Sequence, residues 1–242
     1  MSKKHPIISV VGSSGAGTST VKTTFEQIFR REGITAASIE GDAFHRYNRA
    51  EMKAELERRV AMGDATFSHF SYDANELKAL EGVFKAYSET GIGQSRHYVH
   101  DDREAARYGV APGEFTDWAP IEPGSDLLFY EGLHGCVVND EVNLAALADL
   151  KIGVVPVINL EWIQKIHRDR AHRGYSTEAV TDVILRRMHA YVHCITPQFT
   201  ETDINFQRVP VVDTSNPFIA RWIPTPDGSS VRQGRAERES AG

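Results

Sequence analysis

A chain of 242 residues is long enough to bury a sizeable core, and an α/β protein of this length commonly forms one domain. With 41% hydrophobic and 25% charged residues it is not an intrinsically disordered chain, and it carries no apolar segment of membrane-spanning character. Its formal charge of −6 argues against broad nucleic-acid binding, which needs a basic face to displace phosphate counterions, so local basic clusters must serve something small.

The opening "MSKKHPIISVV" has a basic start, but its apolar run of about six residues falls short of a signal-peptide core and reads as a first strand. "TSTVKTTFEQIFRREG" follows with helical spacing at Val21, Phe25, Ile28 and Phe29, and "TAASIEGDAF" is a second strand with an acid at its end. Together they form a βαβ unit of a parallel sheet, whose ligands gather at strand C-terminal ends. Residues 45–63 read as a mixed-charge helix, and "ANELKALEGVFKAYSE" as another with Leu77, Leu80, Phe84 and Tyr87 on its core face. Between about 90 and 124 glycines and prolines break the periodicity around "SRHYVHDD", which predicts a short inserted strand pair. "DLLFYEGLHG", "KIGVVPVINLEW" and "RVPVVDTS" are further strands, the first two apolar enough to be covered on both faces. Residues 228–242 are expected to form a polar, solvated tail. Cys136 and Cys194 have neither metal nor redox spacing; two buried thiols in a reducing cytoplasm are expected.

Gly12 to Ser19 fits the phosphate-loop pattern G-x-x-x-x-G-K-[ST], except that Thr18 stands where lysine belongs. Strand, spacing and following helix together predict that Gly12, Ser13, Ser14, Gly15, Ala16, Gly17, Thr18, Ser19 and Thr20 cradle nucleotide phosphates with backbone N–H groups and the helix's positive end. Ser19 is the expected Mg²⁺ ligand, and Glu131, closing the strand "LLFYEG", the second. Asp42 ends the second strand facing the same region. Aspartate is a favoured helix N-cap, but this place also suits a general base that takes the proton of an attacking hydroxyl. His45, Arg49 and Lys53, spaced i, i+4 and i+8, predict a stripe that anchors an anion on the acceptor.

The cation missing at Thr18 must come from elsewhere. In "NLEWIQKIHRDRAHRGYS", Lys165, Arg168, Asp169 and Arg173 fall on one side of a helix, so a lid over about 160–177 can bring its cations onto the phosphates. His189 and His193 in "MHAYVHC" have zinc-like spacing, but H-E-x-x-H lacks its Glu here and a structural role is favoured.

From about Lys3 to Asp227 the chain resembles the phosphoribulokinases, specifically the bacterial type of photosynthetic proteobacteria. The resemblance rests on "VVGSSGAGTSTVK", "SIEGDAFHRYNRAEMKAEL", "FSHFSY", "YVHDD", "LLFYEGLHG", "INLEWIQKIHRDRAHRGYSTEAVTDVILRRMHAYVHCITPQF" and "INFQRVPVVDTSNPFIARWIP". It implies a single P-loop kinase domain over 1–227, like the nucleoside-monophosphate kinases in fold: a mostly parallel sheet flanked by helices, with a lid helix. It also implies ATP- and Mg²⁺-dependent phosphorylation of the C1 hydroxyl of ribulose 5-phosphate for the Calvin cycle. By resemblance Asp42 is the catalytic base, Asp169 a second essential acid and Mg²⁺ partner, and Lys165 and Arg168 active-site cations. His45, Arg49 and Arg173 contact the sugar phosphate, with Lys53, Tyr98 and His100 lining that side. The bacterial type is an octamer activated by NADH and restrained by AMP, and Arg31, Arg186 and Arg187 match basic positions tied to that regulation. The loop lacks the cysteines of thioredoxin-controlled members. Past Asp227 the resemblance ends, because family members continue into further strands and helices where this chain turns polar.

Uridine kinase shares the phosphate loop, the strand-end Asp and the R-x-x-R-D-x-x-x-R-G lid, but its nucleoside acceptor has no phosphate for the His45, Arg49, Lys53 stripe to hold. A non-catalytic nucleotide-binding subunit is the other alternative, although Asp42, Ser19, Glu131 and Asp169 all stand.

Overall fold

The computed structural model describes residues 4–121 and 123–208; the side chains at 158–160, 164, 168, 172, 173 and 208 lie outside that description. β1 (Ile7–Val11) runs through the glycine loop into α1 (Thr18–Glu32) and returns as β2 (Ala36–Glu40). Then come α2 (Arg49–Ala61), α3 (Leu77–Thr90), β3 (Gln94–Ser95), α4 (Asp102–Tyr108) and β4 (Ala119–Pro120). β5 (Leu127–Gly132), β6 (Leu150–Pro156), α5 (Ile158–Arg173), α6 (Thr177–Ala190) and β7 (Ile204–Arg208) complete the order.

A five-stranded sheet has the order β2-β5-β1-β6-β7, every pair parallel. Side chains alternate across its strands, which sorts the core into two layers. Ile7, Leu128 and Tyr130 pack on one face against Leu77, Leu80, Phe84 and Tyr87, the whole expected stripe of α3. Val10, Phe129, Ile152 and Val154 pack on the other with Phe29 of α1. Both faces are covered, as the apolar strand sequences require.

Two expectations change. The helix placed at 45–63 begins only at Arg49, because Asn48 and Glu51 close a capping box: Asn48 Oδ1 accepts from the Glu51 amide at 2.8 Å, and Glu51 Oε2 from the Asn48 amide at 2.9 Å. His45 therefore sits off the helix in extended backbone, bridged antiparallel to Asn75, and does not share a helix face with Arg49 and Lys53. The inserted segment does contain a strand pair, β3 with β4, extended by a Tyr98–Phe115 bridge, but it also holds α4, which buries no side chain and so left no apolar period to read. The strand expected at "RVPVVDTS" overlaps the described chain only at Arg208, the last residue of β7; the rest of it, the domain limit at 227 and the tail lie outside the described residues.

Candidate active site

The loops that follow β1, β2, β5 and β6 all open at the same end of the sheet, where their strands finish. Between β1 and α1 the chain turns through Gly15 (φ +108°) and Gly17 (φ +103°), conformations that favour glycine. Inside the loop the Ser13 hydroxyl is buried with no hydrogen-bond partner among the described residues. Left-handed glycines beside an orphaned buried hydroxyl at a helix N-terminus fit a bound phosphate group. Thr18 is buried and hydrogen-bonds the Glu131 carboxylate, so the position that usually carries lysine faces the second strand-end acid. Lys22, one turn on, pairs with Glu40 at 2.6 Å.

After β2 a tight turn, Gly41–Phe44, carries Asp42. Only glycine fits at its start, since a Cβ on Gly41 would lie 2.6 Å from the Tyr130 hydroxyl and 2.8 Å from the Gly132 Cα. One Asp42 oxygen lies 3.2 Å from His45 Nε2 and the other 3.4 Å from His100 Nε2. The side chain still keeps 38% of its exposure, enough for an acceptor hydroxyl to reach it. Burial opposes its charge, but His45 above all, then His100 and His69, outweigh burial and hold the carboxyl far below the usual carboxylate range. Tyr98 packs edge-on against both imidazoles, with centroids 5.0 Å from His100 and 6.1 Å from His45, and Arg49 donates to the His100 carbonyl at 2.8 Å. Asp42, His45, Arg49, Tyr98 and His100 thus converge, while Lys53 is exposed one turn further along α2.

On α5, Lys165 Nζ donates to Asp169 Oδ2 at 2.7 Å, and both side chains are buried. Arg168 and Arg173 are on this helix, but their side chains lie outside the described residues. Ser14 of the phosphate loop, Phe70, Lys165 and Arg187 line one cavity, so the loop and the basic helix face shared space. The three effector candidates separate. Arg31 is exposed and pairs with Glu32 at 2.8 Å, Arg186 is exposed, and Arg187 is half-buried with its guanidinium 5.2 Å from the Phe70 ring centroid.

The oxygen donors Ser19 and Glu131 suit Mg²⁺, and burial raises the Glu131 carboxyl above its ordinary value although the Thr18 hydrogen bond opposes this. Among the described residues no three His, Cys, Asp or Glu side chains form a closed metal cage. Mg²⁺ that travels with a nucleotide needs none, because one or two protein oxygens supplement phosphate and water ligands. His189 and His193 stack at 4.2 Å, and His193 Nδ1 is 2.8 Å from the His189 carbonyl, a structural pairing. Both cysteines are free thiols.

Sequence reasoning missed Asn75, His69 and Arg96. Asn75 joins the His45 ring at 2.8 Å, His69 packs tilted against that ring with centroids 5.1 Å apart, and Arg96 donates to the carbonyls of Ala43 and His45 at 2.8 and 2.9 Å. No short motif contains these contacts, which join residues 24 to 53 positions apart or fall where no periodicity guides.

A parallel sheet with a glycine phosphate loop, acids ending β2 and β5, and a lysine-bearing helix over the loop defines a P-loop kinase. Residues 7–215 match the Phosphoribulokinase / Uridine kinase family, and the chain belongs to it. It is 83% identical over 231 residues to phosphoribulokinase 2 of Cereibacter sphaeroides, covering 96% of this chain and 79% of that one. With the phosphoribulokinase of Nitrobacter vulgaris the identity is 70% over 96% of this chain and 80% of the relative. The solved phosphoribulokinase from Rhodobacter spheroides superposes with a TM-score of 0.78 at 78% identity, over 94% of this chain and 78% of that one. A possible uridine kinase from Bacillus stearothermophilus shares the fold, with a TM-score of 0.55 at 14% identity over 85% of this chain and 90% of that one.

Proposed function

We infer that this chain is a phosphoribulokinase: it transfers the γ-phosphoryl group of ATP to the C1 hydroxyl of D-ribulose 5-phosphate, giving ribulose 1,5-bisphosphate for the Calvin cycle. The observation that carries this reading is the pair of imidazoles on Asp42, His45 at 3.2 Å and His100 at 3.4 Å, with the Arg49 guanidinium tied to the His100 carbonyl at 2.8 Å. A nucleoside acceptor has no phosphate to occupy such a cluster, and the high identity to named phosphoribulokinases agrees.

Asp42 accepts the C1 hydroxyl proton as general base. His45, Arg49 and Arg173 grip the 5-phosphate, with Lys53, Tyr98 and His100 completing that wall. Gly12 to Thr20 hold the ATP phosphates through backbone amides. Lys165 and Arg168 stabilise the charge that develops on the transferring group, which replaces the lysine absent at Thr18. Ser19, Glu131 and Asp169 would hold Mg²⁺, which when bound neutralises the phosphates and keeps the γ-phosphoryl group in line.

The regulatory part of the reading is a homo-oligomer, in the family manner an octamer, activated by NADH and restrained by AMP through Arg31, Arg186 and Arg187, in the cytoplasm. The half-buried setting of Arg187 beside the phosphate-loop cavity supports its share of that role. No helix among the described residues is long and apolar enough to cross a membrane.

Incubation of the purified chain with MgATP and ribulose 5-phosphate tests the reaction, with the product resolved by phosphorus NMR. A new phosphate ester at C1, formed together with ADP, is expected; phosphorylation at another carbon, or ATP hydrolysis alone, would refute it.

A further inference from the structure

Asn75 is buried at the end of a short turn, Tyr72–Ala74, and its backbone pairs with that of His45. Its amide nitrogen donates to the carbonyls of His69 (2.9 Å) and Ser71 (2.8 Å), using both N–H bonds. The amide cannot be reversed, because its oxygen would then face two carbonyl oxygens. Oδ1 therefore points at His45 Nδ1, 2.8 Å away, and being an acceptor it requires a proton on that nitrogen. The other ring nitrogen, Nε2, lies 3.2 Å from an Asp42 oxygen, a second acceptor. A neutral ring would turn its lone pair onto the carboxylate, so both nitrogens carry protons.

We propose that Asn75 is a positioning residue that locks His45 in its doubly protonated, cationic form, so that the acceptor side of the site keeps a fixed positive charge beside Asp42. The groups around the ring fit one cation. Asp42 on the same turn favours it, and Arg187 from α6 opposes it. His69, at 5.1 Å, and His134, after β5, are held neutral by burial first and then by neighbouring positive charge, His134 at about 3. Tyr98 meets the ring edge-on at 6.1 Å. Burial works against the His45 charge, yet Asp42 and Asn75 outweigh it and raise its titration.

The lock deepens the proposed function, since its use rests on His45 gripping the acceptor's phosphate. The test is NMR of the full-length chain labelled with ¹⁵N-histidine, with the His45 signals assigned through a His45→Asn variant. In the wild type both His45 ring nitrogens are expected to carry protons near pH 7.5, about one unit above the ordinary histidine value. One bare ring nitrogen there overturns the proposal, and this arm needs no variant of Asn75. In Asn75→Ala the His45 titration is expected to fall, because one of the two acceptors that favour the charged ring is gone, so that fewer of the rings are charged near pH 8 than in the wild type. KM for ribulose 5-phosphate should then rise about tenfold near pH 8 but less than about threefold near pH 6, with KM for ATP unmoved. An unchanged His45 titration in Asn75→Ala also overturns the lock. A lowered titration with KM indifferent to pH upholds the lock and refutes the reading of His45 as a phosphate ligand.

Discussion

Asp42 and His45, three residues apart on one turn, face each other at 3.2 Å, and His100 reaches the second Asp42 oxygen from the inserted segment at 3.4 Å. Two imidazoles thus hold the carboxylate ionised without closing it off. An ionised, reachable carboxylate beside a phosphate loop can accept a hydroxyl proton as its oxygen attacks.

Replacing Asp42 by Asn keeps the shape and removes the basicity. Turnover should fall by about 10²-fold or more while ATP binding, read by calorimetry, stays within about twofold. Near-normal turnover would remove Asp42 from the mechanism.

The same pair predicts how stability depends on pH. The Asp42 carboxyl titrates lower in the folded chain than unfolded, so its contribution is complete above the ordinary carboxylate value and lost as pH falls through the folded one. His45 titrates higher in the folded chain, so its contribution is complete below about 6.5 and lost as pH rises through the raised value. The Tm gap between wild type and Asp42→Asn should therefore be widest between about pH 5 and 6.5 and narrow on the alkaline side. A gap that widens steadily with pH would contradict the pairing.

Arg49→Ala should raise KM for ribulose 5-phosphate and leave KM for ATP within about twofold, because a remote phosphate is held alike in ground and transition states. Some of the loss passes through His100, whose carbonyl Arg49 anchors at 2.8 Å. Steady-state kinetics with each substrate varied decides it. A shift in ATP affinity alone would assign this wall to the nucleotide.

Lys165→Met should cut turnover by about 10³-fold or more while ATP binding changes little, since its charge is needed as negative charge shifts on the transferring group. It also removes the 2.7 Å contact between the buried Lys165 and Asp169 side chains, so Tm should fall as well. Adding Asp169→Leu should recover part of the Tm and none of the turnover, which separates the two effects. Thr18→Lys should not rescue it, because Thr18 is buried against Glu131. Rescue by Thr18→Lys would place the needed cation in the loop.

The fold was legible in the continuous apolar runs of β1, β5 and β6 and in the helical period of the α3 stripe, Leu77, Leu80, Phe84 and Tyr87. The phosphate loop was legible because its glycines are demanded by backbone geometry. The start of α2 was misplaced although "NRAE" spells the capping box, since the charge spacing of His45, Arg49 and Lys53 imitated one helix face. His45 came near Asp42 by another route, a tight turn and a bridge to Asn75, and bridges between distant segments leave no period in a sequence. The resemblance groups Arg186 with Arg187 as regulatory positions, whereas neighbouring residues on a helix point about 100° apart and only Arg187 turns toward the site.

The central claim is that the acceptor must bring its own phosphate, and the most direct measurement is kcat/KM of the purified chain with MgATP for ribulose 5-phosphate, ribulose and uridine side by side. Ribulose 5-phosphate should be preferred over ribulose by about 10³-fold or more, with uridine at background. Comparable rates for ribulose and its 5-phosphate, or faster turnover of uridine, would contradict the account.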